Sequence, residues 1–104
     1  MAELKKGYSF AGRHSFGLFR YVDFYYSPNR VNCWAVQAKG NVKYFSDLRS
    51  CVDYARMSGW IKDKDLPTIL KNLAEQERVT DDLWFDGRRA ETPERTVFIS
   101  RETR

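Results

Sequence analysis

From residue 18 to residue 45 the chain alternates between β-rich runs and short polar breaks. "LFRYVDFYY" (18–26), "VNCWAVQA" (31–38) and "VKYF" (42–45) are dense in β-branched and aromatic residues, which predicts three strands. "SPNR" (27–30) reads as a turn, because Pro28 presets φ and Asn29 tolerates a left-handed backbone. "KGN" (39–41) reads as the next. Turns this short make neighbours antiparallel, so the strands form a meander. Ahead of them "YSFAGRHSFG" (8–17) mixes aromatics with two glycines, as either a first strand with a bend or an ordered loop.

After Phe45 the period changes. Ser46 or Asp47 offers a side-chain oxygen to the free amides of a helix start. Leu48, Cys51, Val52 and Ala55 then recur on one face up to Met57, and Gly59 is a stop. A second helix is predicted from Asp65. Pro67 sits in its first turn, where amides lack partners anyway. Leu66, Ile69, Leu70, Leu73 and Ala74 form its apolar face, and its end falls between Glu77 and Asp82. "LWF" (83–85) reads as an apolar plug on the core, "DGRRAETPER" (86–95) as a loop and "TVFIS" (96–100) as a last strand at a sheet edge. Residues 1–7 are a polar lead, and the last four residues should fray. The expected fold is α+β: a three- to four-stranded antiparallel β-meander packed on one face by two α-helices, with room for a C-terminal edge strand. At 104 residues the chain is one domain.

Strand parity assigns the faces. Leu18, Val22, Phe24, Trp34, Val36 and Val42 are expected toward the helices. The far face then shows Tyr21, Tyr25, Gln37 and Lys43, with Arg30 and Lys39 at the turns. An antiparallel sheet can leave one face wet. Tyrosines among cations there are either half-covered by flanking chain or form a contact surface.

Composition sharpens this picture in one respect. Residues 1–50 hold eleven of the sixteen aromatics, with eight Lys/Arg against three Asp/Glu, whereas residues 51–104 hold ten against eleven. The net charge of +4 therefore travels with the aromatics and favours acidic partners. Cys33 and Cys51 have no metal spacing and read as two buried thiols of a reducing compartment, with a disulfide between them as the lesser alternative. No apolar run reaches membrane-spanning length, and "MAELKKGYSF" has no signal-peptide core. The expectation is a cytoplasmic protein with no membrane contact.

Catalytic chemistry is not signalled. His14 is the single histidine, with no nucleophile or metal set near it in sequence, and reads as a packing or surface residue. No phosphate loop, zinc motif or nucleophile elbow occurs. "DDLWFDG" (81–87) lacks the alternating oxygen ligands of a calcium loop and reads as a solvated acidic turn. No cofactor, no metal and no catalysis are expected.

Two resemblances bear on function. The order of three strands and a helix around "CWAVQAKGNVKYFSDLRSCVDYA" resembles the AP2 and integrase-arm DNA-binding fold, whose sheet enters the major groove. That resemblance implies Trp34, Lys39, Lys43 and Arg30 as DNA-facing positions. The chain as a whole is similar in style to small phage and mobile-element accessory proteins, carried by Tyr44, Phe45, Ser46, Leu48, Val52, Tyr54 and Ala55. These include anti-CRISPR and other counter-defence inhibitors. This second resemblance implies a non-catalytic inhibitor in a bacterial host cell. It would occupy a host protein or nucleoprotein complex such as a CRISPR effector, with nucleic acid as the alternative partner. The residues expected to bind are Tyr21, Tyr25, Arg30, Lys39, Lys43, Arg88 and Arg89.

Overall fold

The structure, a computed structural model, describes residues 4–88. Four strands, β1 (Ser9–Gly17), β2 (Arg20–Tyr26), β3 (Trp34–Ala38) and β4 (Asn41–Phe45), form one antiparallel sheet in chain order. Two helices, α1 (Leu48–Met57) and α2 (Leu66–Arg88), follow, with a single 3₁₀ turn at Asp63–Asp65 leading into the second. This is the expected α+β meander with two helices. The C-terminal strand expected at 96–100 lies outside the described residues.

Of residues 8–17, all but Tyr8 form strand β1, which is irregular near both of its glycines. Its pairing with β2 slips between Phe10 and Gly12 and again between Ser15 and Gly17. Each slip inserts one extra residue, so simple alternation fails along this strand. Gly12 and His14 pair with Phe24 and Val22 on the helix side, and Phe10, Arg13 and Ser15 pair with Tyr25, Asp23 and Tyr21 on the other. At Gly12 α2 lies close against the sheet: a Cβ there would stand 3.0 Å from Leu73 Cδ2. Leu73 is buried and has little room to retreat. Gly12→Ala is therefore expected to lower stability by about 1–3 kcal/mol through overpacking, read as a lower urea midpoint at unchanged m-value.

The β3–β4 turn is Lys39–Gly40, both at positive φ (52° and 79°), as a type I′ hairpin turn requires. Helix α1 starts where its cap predicts: the Asp47 carboxylate accepts the Ser50 amide at 2.9 Å. It ends in a Schellman motif, with Gly59 at φ 86° and amides of Gly59 and Trp60 returning to the carbonyls of Arg56 and Ala55 at 3.0 Å.

The core lies between the sheet and the helices. Val22, Phe24, Tyr26, Trp34 and Val36 are buried beneath Cys51, Val52, Ala55, Ile61 and Leu73. Trp34 is fully enclosed; its indole Nε1 donates to Glu77 at 3.3 Å, and the Tyr26 hydroxyl donates to Asp81 at 2.7 Å. An aromatic ladder, Phe45–Tyr54–Trp60–Phe16, with centroid steps of 5.4, 5.8 and 6.0 Å, ties α1 to both edges of the sheet. Cys33 and Cys51 are free, buried thiols as expected. Burial, with Cys33 and Asp47 nearby, pushes the Cys51 thiol far up, so it stays protonated.

Several expectations are corrected. Leu18 is not in a strand facing the core; it sits in the β1–β2 turn, 83% exposed. The break after β2 runs through residues 27–33 rather than 27–30, so β3 begins at Trp34. Helix α2 continues to Arg88, absorbing Asp81, Asp82 and the "LWF" segment. Leu83 on it is 70% exposed and does not pack on the core. Asp81 and Asp82 instead take the Tyr26 hydroxyl and the Arg78 guanidinium. Neither Gly nor Pro interrupts residues 68–86, and ordinary helix formers carry the helix on. Among the described residues, no helix is long and apolar enough to cross a membrane.

Candidate functional site

The helices cover one face of the sheet. The opposite, outer face is built by register: Phe10, Arg13 and Ser15 from β1, Tyr21, Asp23 and Tyr25 from β2, Ala35 and Gln37 from β3, Val42 and Tyr44 from β4. The lead over residues 4–8 folds onto its β4 side. There the Lys5 amide donates to the Tyr44 hydroxyl at 3.1 Å, Tyr8 lies 5.4 Å from Tyr44 ring to ring, and the Tyr8 hydroxyl bonds the Asn32 carbonyl. Arg30 closes this corner, donating to the Lys6 carbonyl at 2.9 Å.

The β1–β2 side stays open. Phe10 is 55% and Tyr21 43% exposed, and Tyr25 is half-buried against Phe10 in an edge-to-face pair at 5.8 Å. Rings and cations interleave across the whole face. Arg13 lies over Tyr21 at 4.9 Å, Arg30 over Tyr8 at 5.3 Å and Lys5 over Tyr44 at 5.0 Å. Such contacts hold both partners in place at about 0.5–1 kcal/mol each. Arg13 is fixed further by a two-point bond to Asp23, at 2.7 and 3.2 Å. Burial pushes the Tyr25 hydroxyl up, with Asp23 adding and Arg13 opposing; burial likewise pushes Tyr8 up against the pull of Arg30. Both hydroxyls are therefore neutral donors over the physiological range. The face is pre-ordered and amphipathic, with more cations than carboxylates.

The expected binding residues do not all meet here. Tyr21 and Tyr25 share the outer face, and Arg30 borders it. Lys39 lies in the β3–β4 turn, 6.0 Å from the Phe16 ring. Lys43 is on the wrong side: it pairs with Val36, while Val42 and Tyr44 take the outer positions. Phe45 decides this, because its ring packs on Tyr54 under α1, and Lys43 at the sheet edge can still reach water. Trp34, DNA-facing by resemblance, is 0% exposed beneath the helices. Arg88 ends α2, and Arg89 lies outside the described residues. Parity missed Phe10 and Arg13, because two bulges break it in β1. The signal was available in Gly12 and Gly17, which mark irregular points in a strand.

His14 lines a cleft between β1 and α2 with Gly12, Phe24, Ile69, Leu73 and Asn72. Its Nε2 is 3.9 Å from an Asp65 carboxylate oxygen. The adjacent Ser15 pairs on the outer face and donates its hydroxyl to the Gly17 carbonyl at 3.1 Å. The His14–Asp65 pair thus receives no hydroxyl from Ser15. Among the described residues, no group of three His, Cys, Asp or Glu side chains could hold a metal ion.

The β1–β2 turn breaks a local rule. Phe19 has φ 59° and is 83% exposed. A left-handed backbone costs a bulky residue about 1–2 kcal/mol, and so exposed a ring recovers little through packing. Phe19→Gly is expected to raise stability by about 0.5–1 kcal/mol after the extra chain entropy of glycine is subtracted; thermal and urea melts read this directly.

No protein family matches the chain, and no curated protein and no solved structure is significantly similar to it.

Proposed function

We propose that this protein is a non-catalytic binding protein whose outer sheet face docks on a partner protein. The reading rests on one observation: a sheet face that the helices leave open, carrying Phe10, Tyr21 and Tyr25 with Arg13 clamped between Tyr21 and Asp23. Rigid aromatics supply contact area at low entropic cost, and arginine is enriched with them at contact sites. The excess of cations favours an acidic partner surface. The similarity in style to phage and mobile-element accessory proteins narrows the class to a counter-defence inhibitor of the anti-CRISPR type, acting inside a bacterial host. A host protein or nucleoprotein complex is the target.

Direct nucleic-acid binding by the same sheet is less well supported. Three cations of the outer face already lie over ring faces, where a base would have to stack. Capture from a nuclease-treated bacterial lysate at low and high salt separates the two. A discrete protein retained at high salt supports the inhibitor reading; nucleic acid alone, lost with salt, contradicts it.

A further inference from the structure

The two hairpin turns, the end of α1 and the start of α2 meet at one end of the molecule. Phe16 stacks on Trp60 there, and one hollow is lined by Ser15, Phe16, Gly59, Trp60, Lys62 and Lys64. A second is lined by Phe19, Arg20, Tyr21 and Lys39. The described ends of the chain leave from the other end, where Lys5 meets Tyr44 and α2 passes Tyr26 at Asp81.

Leu18 and Phe19, each 83% exposed, form the β1–β2 turn at this end, and Met57 is 78% exposed at the close of α1. Four exposed cations from three separate segments accompany them: Arg20, Lys39, Lys62 and Lys64. The nearby carboxylates lie closer to other partners, although Asp63 is itself 86% exposed. Asp23 holds Arg13, Asp63 lies 3.5 Å from Arg56, and Asp65 lies 3.9 Å from His14. Among the described residues, none of the four cations makes an ion pair.

We infer that this end is a peripheral docking site for an anionic lipid surface, with Leu18 and Phe19 entering the headgroup–acyl boundary and Arg20, Lys39, Lys62 and Lys64 resting among the headgroups. An exposed apolar turn with Arg20 and Lys39 beside it and Lys62 and Lys64 at the neighbouring hollow complements such a layer in both hydrophobicity and charge. Three of the four cations are lysines, which act as mobile point charges and suit a fluid headgroup layer better than a fixed carboxylate fork. The strained backbone at Phe19 keeps an apolar ring in water, where folding does not use it. The expectation of no membrane contact rested on the lack of a spanning segment, and a peripheral tip needs none. This end adjoins the outer face, since Tyr21 with Arg13 and Asp23 also lines the second hollow, but the lipid contacts are assigned to other residues.

The test is sedimentation of the full chain with phosphatidylcholine vesicles containing 0 or 30% phosphatidylserine. Binding is expected only with phosphatidylserine, and it should weaken as salt rises. Leu18→Ser with Phe19→Ser should weaken it about tenfold or more. Arg20→Gln with Lys64→Gln should weaken it about 25-fold, at roughly fivefold per cation. Circular dichroism should show both variants folded, because all four side chains are exposed. No binding to phosphatidylserine vesicles at low salt overturns the inference. So does binding that the serine pair leaves unchanged, which would be unspecific charge attraction. Stronger, tip-dependent binding to a short DNA duplex would assign the same end to nucleic acid instead. If the serine variant still captures the protein partner, the two sites are independent; if it loses the partner and the lipid together, the tip belongs to the protein interface and the lipid reading fails.

Discussion

Replacing Trp34 by alanine is expected to lower the free energy of unfolding by about 3–5 kcal/mol. Trp34 is 0% exposed, packs 4.9 Å from Tyr26 ring to ring and reaches Glu77 with its indole. Truncation removes the largest buried side chain, opens a cavity between the sheet and both helices, and deletes a bond that ties α2 to β3. Against a typical total of about 5–15 kcal/mol this is a large share, so the variant should melt early or fail to fold. Lys43→Ala, at an exposed edge position, should change stability by no more than about 0.5 kcal/mol. Urea denaturation of the two variants reads the contrast. A Trp34→Ala effect below about 1 kcal/mol would show that the indole does not anchor the core. It would also reopen the position to the DNA-contacting role that the integrase-arm resemblance implies.

The second large effect is on binding. Tyr21→Ala combined with Tyr25→Ala is expected to weaken partner binding about 100-fold or more, as loss of paired aromatic anchors does. The double variant should lose only about 1–2 kcal/mol of stability, chiefly from the Phe10–Tyr25 pair. Calorimetric titration against the captured partner, with a thermal melt of the free variant, gives both numbers. Unchanged affinity would remove the outer face as the docking surface. A stability loss on the scale of the Trp34 variant would place these rings in the core.

Much of the architecture was legible because the signals agreed at several levels. In β2 and β3 the parity of Val22, Phe24, Trp34 and Val36 matches their burial. Asp47 and Gly59 bound α1 where capping chemistry puts them. What parity could not reach were the places where a single tertiary contact overrides it. Two bulges reverse the faces along β1, so Phe10 and Arg13 join Tyr21 and Tyr25 without any sequence alternation to announce it. Phe45 turns inward to meet Tyr54, and Lys43 follows its strand to the helix side. Leu18 looked like core by hydrophobicity, but it falls in a two-residue turn that follows the slip between Ser15 and Gly17. Of the residues expected to bind, Tyr21 and Tyr25 were legible as a pair because β2 has no bulge. Arg30, Lys39, Lys43 and Arg88 sit on four different segments, and charge alone does not reveal which face a loop serves.

The most direct measurement is hydroxyl-radical footprinting of the protein alone and in complex with its captured partner. Phe10, Tyr21 and Tyr25 should lose most of their reactivity in the complex, while Leu83 and Met57, exposed on the helices, should keep theirs. Protection confined to the helices, with Phe10, Tyr21 and Tyr25 as reactive as in the free protein, would contradict docking through the open face of the sheet.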